Sequence, residues 1–353
     1  MATRPEIEVI EESVNTIERT PGMAGRIAVI GAFNSQVTNI TFVPDDTTAH
    51  SIFGTTETVG QFKGTDTIDY LFTGASELIV ANITTWTTGE TPTAETTLTN
   101  AKLTEALAKL KNETFDLLFI AEELTDEAQT IVTTWLNNEF KHKFAHSQVI
   151  QLQKSTAAAY ETAVATIGNQ VAYILTQPLQ YNGTQLNLNQ SAALMAGLIA
   201  GKMVNESLTA SVLPGVTGCT EYTTETGDIG AKLMELNVPI VECRNRRLNQ
   251  FICVNSMLPN GLDMYINRTR DYIINTLEAE LLLGKASSDL TFEGAQMIVE
   301  RVRKECVDDL HLLEDIQYTI QKVNSTTAEI TLTKLIFNGV ITKVKVKYSI
   351  EVQ

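Results

Sequence analysis

The chain has 353 residues, 43% of them hydrophobic, enough to bury a core of one large or two modest domains. Charged residues make up 19%, with a formal net charge of −16 and a pI near 4.7, which excludes a general attraction to nucleic acid or to an anionic membrane. Its partners are expected to be proteins.

The first residues, MATRPEIEVIEES, are polar and acidic, and no run of eighteen apolar residues follows anywhere, so neither a secretory leader nor a membrane span is expected. Cys219, Cys243, Cys253 and Cys306 have no CxxC spacing and read as reduced core residues. Asn-x-Ser/Thr triplets such as Asn82-Ile83-Thr84 and Asn182-Gly183-Thr184 carry no meaning without a secretory route.

In chain order, residues 1–20 hold too few clustered apolar residues to form a core. Ile7 and Val9 nevertheless alternate with Glu6 and Glu8, as in a half-buried strand that needs a partner sheet. After Pro21-Gly22 the body starts with the compact apolar run Arg26–Gly31, the form of a buried strand. Strand and helix patterns then alternate: strand 78–83, helix 102–110, strand 115–120, helix 126–140, strand 148–152, helix 157–167, strand 171–175 and helix 191–203. That order predicts an α/β (α+β) fold, a mixed, largely parallel sheet flanked by helices. Ala193, Gly197 and Gly201, four residues apart, leave one face of the last helix small enough for close packing.

Residues 205–235 read as a long loop or extra hairpin punctuated by Pro214, Gly215, Gly218, Gly227 and Gly230. Strands 239–243 and 250–254 form a hairpin across the polar turn Arg244-Asn245-Arg246-Arg247. Two amphipathic helices follow over 262–283 and 291–313, the second capped by Ser288-Asp289. From 340 to 353, Val344, Val346, Tyr348, Ile350 and Val352 share one parity, and Lys343, Lys345, Lys347, Ser349, Glu351 and Gln353 the other. This strict period of two, with 326–337 before it and Asn338-Gly339 between, predicts a C-terminal β-hairpin. The expected organisation is an extended arm over 1–25, a core over 26–335 and a C-terminal β arm over 336–353.

Sites of chemistry are few. His50, His142, His146 and His311 sit in no catalytic frame; His142 and His146 have ligand-like spacing but no HExxH. Gly25-Arg-Ile-Ala-Val-Ile-Gly31 has the wrong spacing for a dinucleotide loop, and no phosphate-binding GxxxxGK[ST] frame occurs. Glu122-Glu123 and Asp308-Asp309 read as solvated charge, and Arg244, Arg246 and Arg247 as a protein-facing salt-bridge patch. No catalytic residue, metal ligand or cofactor is assigned.

The ends carry more. In residues 1–20, Arg4 and Arg19 oppose Glu6, Glu8, Glu11, Glu12 and Glu18, a balance of −3; in 334–353, Lys334, Lys343, Lys345 and Lys347 oppose Glu351, a balance of +3. Strand addition draws affinity from backbone hydrogen bonds and register from side chains, so oppositely charged strands of different copies would pair preferentially. The other reading of the Lys-rich strand is a protected sheet edge.

The segments Arg26–Phe33, Ile52–Gly54, Tyr70–Ile83, Ser191–Ala200, Pro214–Gly218 and Asn267–Ile274, in this order, resemble the tail sheath family of contractile phages, R-type bacteriocins and related injection systems. The resemblance implies a virion-tail or injection-device structural protein, assembled in a bacterial cytoplasm as stacked hexameric rings around a tail tube. It further implies baseplate and tail terminator proteins as partners, with no direct contact to nucleic acid or membrane. Arms that keep a mesh intact through contraction, and a tube contact in the C-terminal half, assigned to Arg268, Arg270 or the 291–313 helix, are implied in the same way. The inter-subunit arms would be Glu6, Ile7, Glu8 and Val9 at one end and Lys343, Val344, Lys345, Val346, Lys347, Tyr348 and Ile350 at the other. The alternative is an α/β enzyme or ligand-binding module without an identifiable site.

Overall fold

Five strands that are buried on both faces, four of them built on apolar runs, demand a sheet covered on both sides. They are β1 (Arg26–Gly31), β3 (Glu77–Asn82), β6 (Leu117–Ile120), β7 (Ser147–Gln151) and β8 (Ala172–Leu175). The computed structural model describes residues 25–55, 61–88, 93–142, 147–168, 172–223, 225, 227–245, 247–248, 250–287, 291–322 and 328–337. In it these five strands pair parallel, and β2 (Thr41–Val43) adds an antiparallel edge in the order β2-β3-β1-β6-β7-β8. Register is tight: Ile27 lies beside Leu78 on one side and Leu117 on the other.

One face is covered by α1 (Asp46–Phe53), the short α2 (Ile68–Leu71) and α6 (Leu188–Ala200), packed on Ile27, Val29, Leu117 and Phe119. The opposite face takes α3 (Asn100–Leu110) and α4 (Asp126–His142) on Ala28, Ile30, Leu118 and Ile120. Between β3 and α3 a two-residue ladder joins β4 (Thr85–Trp86) to β5 (Ala94–Glu95). Helix α5 (Ala157–Ile167) closes the far end of the sheet with Leu233 of α7 (Ile229–Glu235). The N-termini are capped by side chains of Asp45, Thr99, Thr156 and Asn187, each accepting from an amide in the first turn. Such a cap contributes about 1 kcal/mol.

The small-residue face read from the sequence is a true contact. A Cβ on Gly197 would lie 2.4 Å from the Tyr70 carbonyl oxygen, and one on Gly74 would lie 2.2 Å from that of Gly197. Helix α6 starts three residues before the expected position because Asn187 and Gln190 form a reciprocal capping box there.

The segment 205–235 is more regular than expected. Strand β11 (Val216–Cys219) joins β9 (Leu179–Tyr181) and β10 (Thr184–Gln185) in a three-stranded sheet, and α7 follows. The β9–β10 turn is Asn182-Gly183, both at positive φ (48° and 83°), which a two-residue hairpin turn requires. The hairpin expected around 239–254 is present as β12 (Val241–Asn245) and β13 (Gln250–Cys253).

Helix α8 (Met264–Ser287) and α9 (Phe292–Lys304) build a further core with β14 (Asp315–Lys322) and β15 (Ala328–Ile336). Two expectations change here. The second helix stops at Lys304 and gives way to a π-helical turn, Glu305–Asp309. The strand around 326–337 pairs backward with 315–322, a strand the periodicity reading did not find, and the hairpin expected across Asn338-Gly339 lies outside the described residues. Thr291 caps α9, while Ser288-Asp289 lie outside the described residues.

Candidate assembly surfaces

The β14–β15 ribbon is the element whose geometry calls for a partner. Ile316, Tyr318, Ile320, Ile330, Leu332 and Leu335 alternate with polar residues, and Ile316, Tyr318, Ile330, Leu332 and Leu335 pack with Val299 and Val302 of α9 and with Cys306, Leu312 and Leu313. A bulge at Thr333, opposite Gln317–Tyr318, shifts the parity on β15 so that Leu335 stays on the face of Ile330 and Leu332. Polar ties fix the ribbon to the helix: Arg303 donates to the Asp315 carboxylate (Nη2 2.8 Å, Nε 3.2 Å), and the Tyr318 hydroxyl donates to Glu300 Oε2 at 3.0 Å. The Arg303 bond holds the Asp315 carboxyl below its ordinary value. Among the described residues, both outer edges of this two-stranded sheet are without a strand partner. Two strands alone are marginal; a third or fourth completes the backbone hydrogen bonding.

The described residues reach only the roots of the two arms. Glu6, Ile7, Glu8 and Val9, and Lys343 through Ile350, lie outside the described residues. At the first root, the Arg26 amide donates to Asp116 Oδ2 (2.8 Å) and its guanidinium pairs with Glu77. At the second, the Phe337 ring stands edge-on to Tyr265 with centroids 6.3 Å apart.

Arg268 is directed inward. It is 4% exposed, and its guanidinium donates to the carbonyls of Lys202 (3.1 Å) and Met203 (3.4 Å), clamping α8 to the end of α6. Burial lowers its pKa to about 10. Thr269 adds a bond to the Val204 carbonyl at 3.0 Å. Arg270 is half-buried and pairs with Asp271 at 3.3 Å. Burial raises Asp271 to about 7, with Arg270 acting in the opposite direction. So the structure sets one of the two arginines expected at a tube to holding its own subunit together.

The crevice where a doubly wound sheet would take a ligand lies past the carboxyl ends of β1 and β6, where the strand order reverses. The chain fills it itself. Gly64 N donates to the Ala32 carbonyl (2.8 Å), and Ala121 N to that of Ile30 (2.8 Å). A Cβ on Gly64 would sit 2.6 Å from the Phe33 ring, and one on Gly31 2.9 Å from Ala121 Cβ. Asn82 stitches the rim by accepting from Phe33 N (3.0 Å) and Thr84 N (2.9 Å).

Other reactive types are committed locally. His50 bridges the Gly54 carbonyl (3.2 Å) and Asp69 (2.7 Å); partial burial pulls its pKa down, but these acceptors outweigh it and the net shift is upward. The four cysteines are free, and burial pushes the thiols of Cys219, Cys253 and Cys306 up to about 12, far from nucleophilic range. His146 lies outside the described residues.

No protein-family model matches the sequence, and no curated protein does. Solved structures do. The chain is similar to a sheath tail protein of Listeria innocua (TM-score 0.62, 12% identity, 85% of this chain and 89% of that one). It is also similar to one of Desulfitobacterium hafniense (0.63, 11%, 92% and 99%). A third likeness, to a chain of the contracted helical sheath of the anti-feeding prophage, covers 99% of both chains at TM-score 0.63 and 12% identity. At such identities the likeness is one of fold. The α/β fold is that of contractile sheath proteins, the family that the order of sequence segments resembles.

Proposed function

We propose that this chain is the structural subunit of a contractile tail sheath, working by polymerisation and not by catalysis. Copies form stacked hexameric rings around a tail tube. The acidic arm 1–25 and the basic arm 336–353 add as strands to the β14–β15 ribbons of neighbouring copies, and contraction of this mesh drives the tube through a target envelope. Tail tube, baseplate and terminator proteins are its further partners, and the assembled tail its location. The observation that carries the reading is the ribbon with two unpaired edges among the described residues, in a chain whose ends are opposite in charge. The full-length likeness of fold to sheath chains supports it. The enzyme alternative is disfavoured by the self-filled crevice at the strand-order reversal.

Deletion of 341–353, or of 1–20, tests this directly. The truncated proteins are expected to keep the far-ultraviolet spectrum and melting of the body but to form no tubes in negative-stain electron microscopy. Tubes of normal length from both truncations would end the strand-exchange reading.

A further inference from the structure

A buried polar atom is ordinarily paired, because an orphan keeps the cost of leaving water without the return of a hydrogen bond. Helix α8 departs from this along one side. Asn267, Asp271 and Asn275 follow one another at intervals of four and so share a face. Asn267 is 1% exposed and Asp271 6%. Neither polar atom of the Asn267 side chain has a hydrogen-bond partner, nor has Asn275 Oδ1, and Arg268 Nε at the margin of the stripe lacks one as well. Helix α8 packs on β7, and the hydroxyl of Ser147, at the start of that strand, is buried and orphaned in the same way. Asp116, whose carbonyl accepts from Ser147 N at 3.4 Å, acts on the charges of both Arg268 and Asp271.

The other flank of the helix is bonded. Arg268 and Thr269 donate to the carbonyls of Lys202, Met203 and Val204, and Asn205 Nδ2 donates to the His311 carbonyl at 3.1 Å. The apolar core behind α8 is its own. Ile273, Leu277, Val299, Val302, Cys306 and Ile316 pack together, and among the described residues Val204 is the one member from earlier in the chain. A unit with a private core, tied along 202–205 and unbonded along its opposite side, has the construction of a hinged body.

We infer that the unit from α8 to β15 swings against the parallel sheet as one body, with 202–205 as the hinge line and the seam at Asn267, Asp271 and Asn275 as the side that opens. In the closed position these groups are buried without partners, and in the open one water satisfies them. The gain from burying α8 is thereby offset, and the two positions lie close in free energy. Opening carries the β14–β15 ribbon relative to the sheet. On the reading that the ribbon is joined to neighbouring copies, the joint lets it follow them while the body stays in place.

Native-state hydrogen exchange of the full chain, kept dilute and unassembled, reads the joint directly. Amides of α8, α9, β14 and β15 are expected to exchange as a group, about tenfold or more faster than those of β1, β6 and β7, with one common dependence on low urea. N267L separates a joint from a merely peripheral element. Loss of a satisfied buried polar group loosens the unit that holds it, whereas an apolar side chain of like size in place of an orphan favours the closed position. Exchange across the whole unit is therefore expected to slow about tenfold in N267L, and N275L shifts it in the same direction. Faster or unchanged exchange in N267L would overturn the joint, the first because Asn267 would then be satisfied in the closed seam, by a trapped water for instance. So would exchange of the unit at the rate of the sheet. Should N267L not fold, the wild-type pattern and N275L decide by the same outcomes. Tube formation is a separate readout: a joint without tubes leaves this inference standing and removes the sheath reading, and tubes without a joint do the reverse.

Discussion

Asp263, just before α8, and Asp271, within it, show how differently one residue type behaves in two settings. Asp263 accepts from the hydroxyls of Ser207 (2.7 Å), Thr209 (3.1 Å) and Ser256 (2.7 Å) and from Tyr265 N (3.2 Å), tying three segments together. Removing the side chain leaves all these donors without their acceptor at once, so Asp263→Ala is expected to cost about 3 kcal/mol in urea unfolding. Asp271 is buried, with its pKa raised to about 7, whereas an unfolded Asp titrates near 4. The native state therefore holds a proton that the unfolded chain has released, and stability declines as pH rises through the window between those values. The wild type is expected to lose about 2 kcal/mol between pH 5 and pH 8, and Asp271→Asn much less. Parallel pH profiles for the two proteins would exclude this account.

At the scale of elements, α6 against α2 is the contact with least tolerance. A Cβ at Gly197 meets three atoms within 2.6 Å, two of them backbone oxygens of Tyr70 and Leu71, and backbone cannot swing aside. At Gly201 the nearest atom is 3.0 Å away. Gly197→Ala is thus expected to destabilise by about 2 kcal/mol or more and Gly201→Ala by clearly less, as judged from melting temperatures. Equal effects would show that the helix can shift as a body. Sequence legibility at this scale followed burial. Four of the five parallel strands are readable because each holds an unbroken apolar run of four residues, whereas β7 keeps only Val149 and Ile150 between buried polar side chains. Strand β14 was missed although Ile316, Tyr318 and Ile320 alternate with polar Asp315, Gln317, Thr319 and Gln321, because the helical pattern upstream was carried too far, to 313. The Asn182-Gly183 turn was likewise visible and was read only as a sequon.

For the whole molecule the decisive quantity is charge distribution. Substitution of Lys343, Lys345 and Lys347 by Glu reverses the basic arm and is expected to weaken tube formation, and wild-type assembly is expected to weaken with added salt more than an apolar contact would. Light scattering across ionic strength checks both. Assembly indifferent to salt would remove the electrostatic part of the proposal and leave backbone strand addition untouched.

The sequence by itself determined the parallel sheet, the helices that cover it and the opposite charge of the two ends, because hydrophobic period and charge are local properties of the chain. Only the tertiary structure decided that Arg268 points inward to Lys202 and Met203, that 328–336 pairs with 315–322, and that Gly64 closes the crevice of the sheet. Those outcomes depend on which distant segments meet. Burial of a guanidinium, pairing of a strand and filling of a cavity are settled by contacts between residues far apart in the chain, and no local pattern encodes their partner.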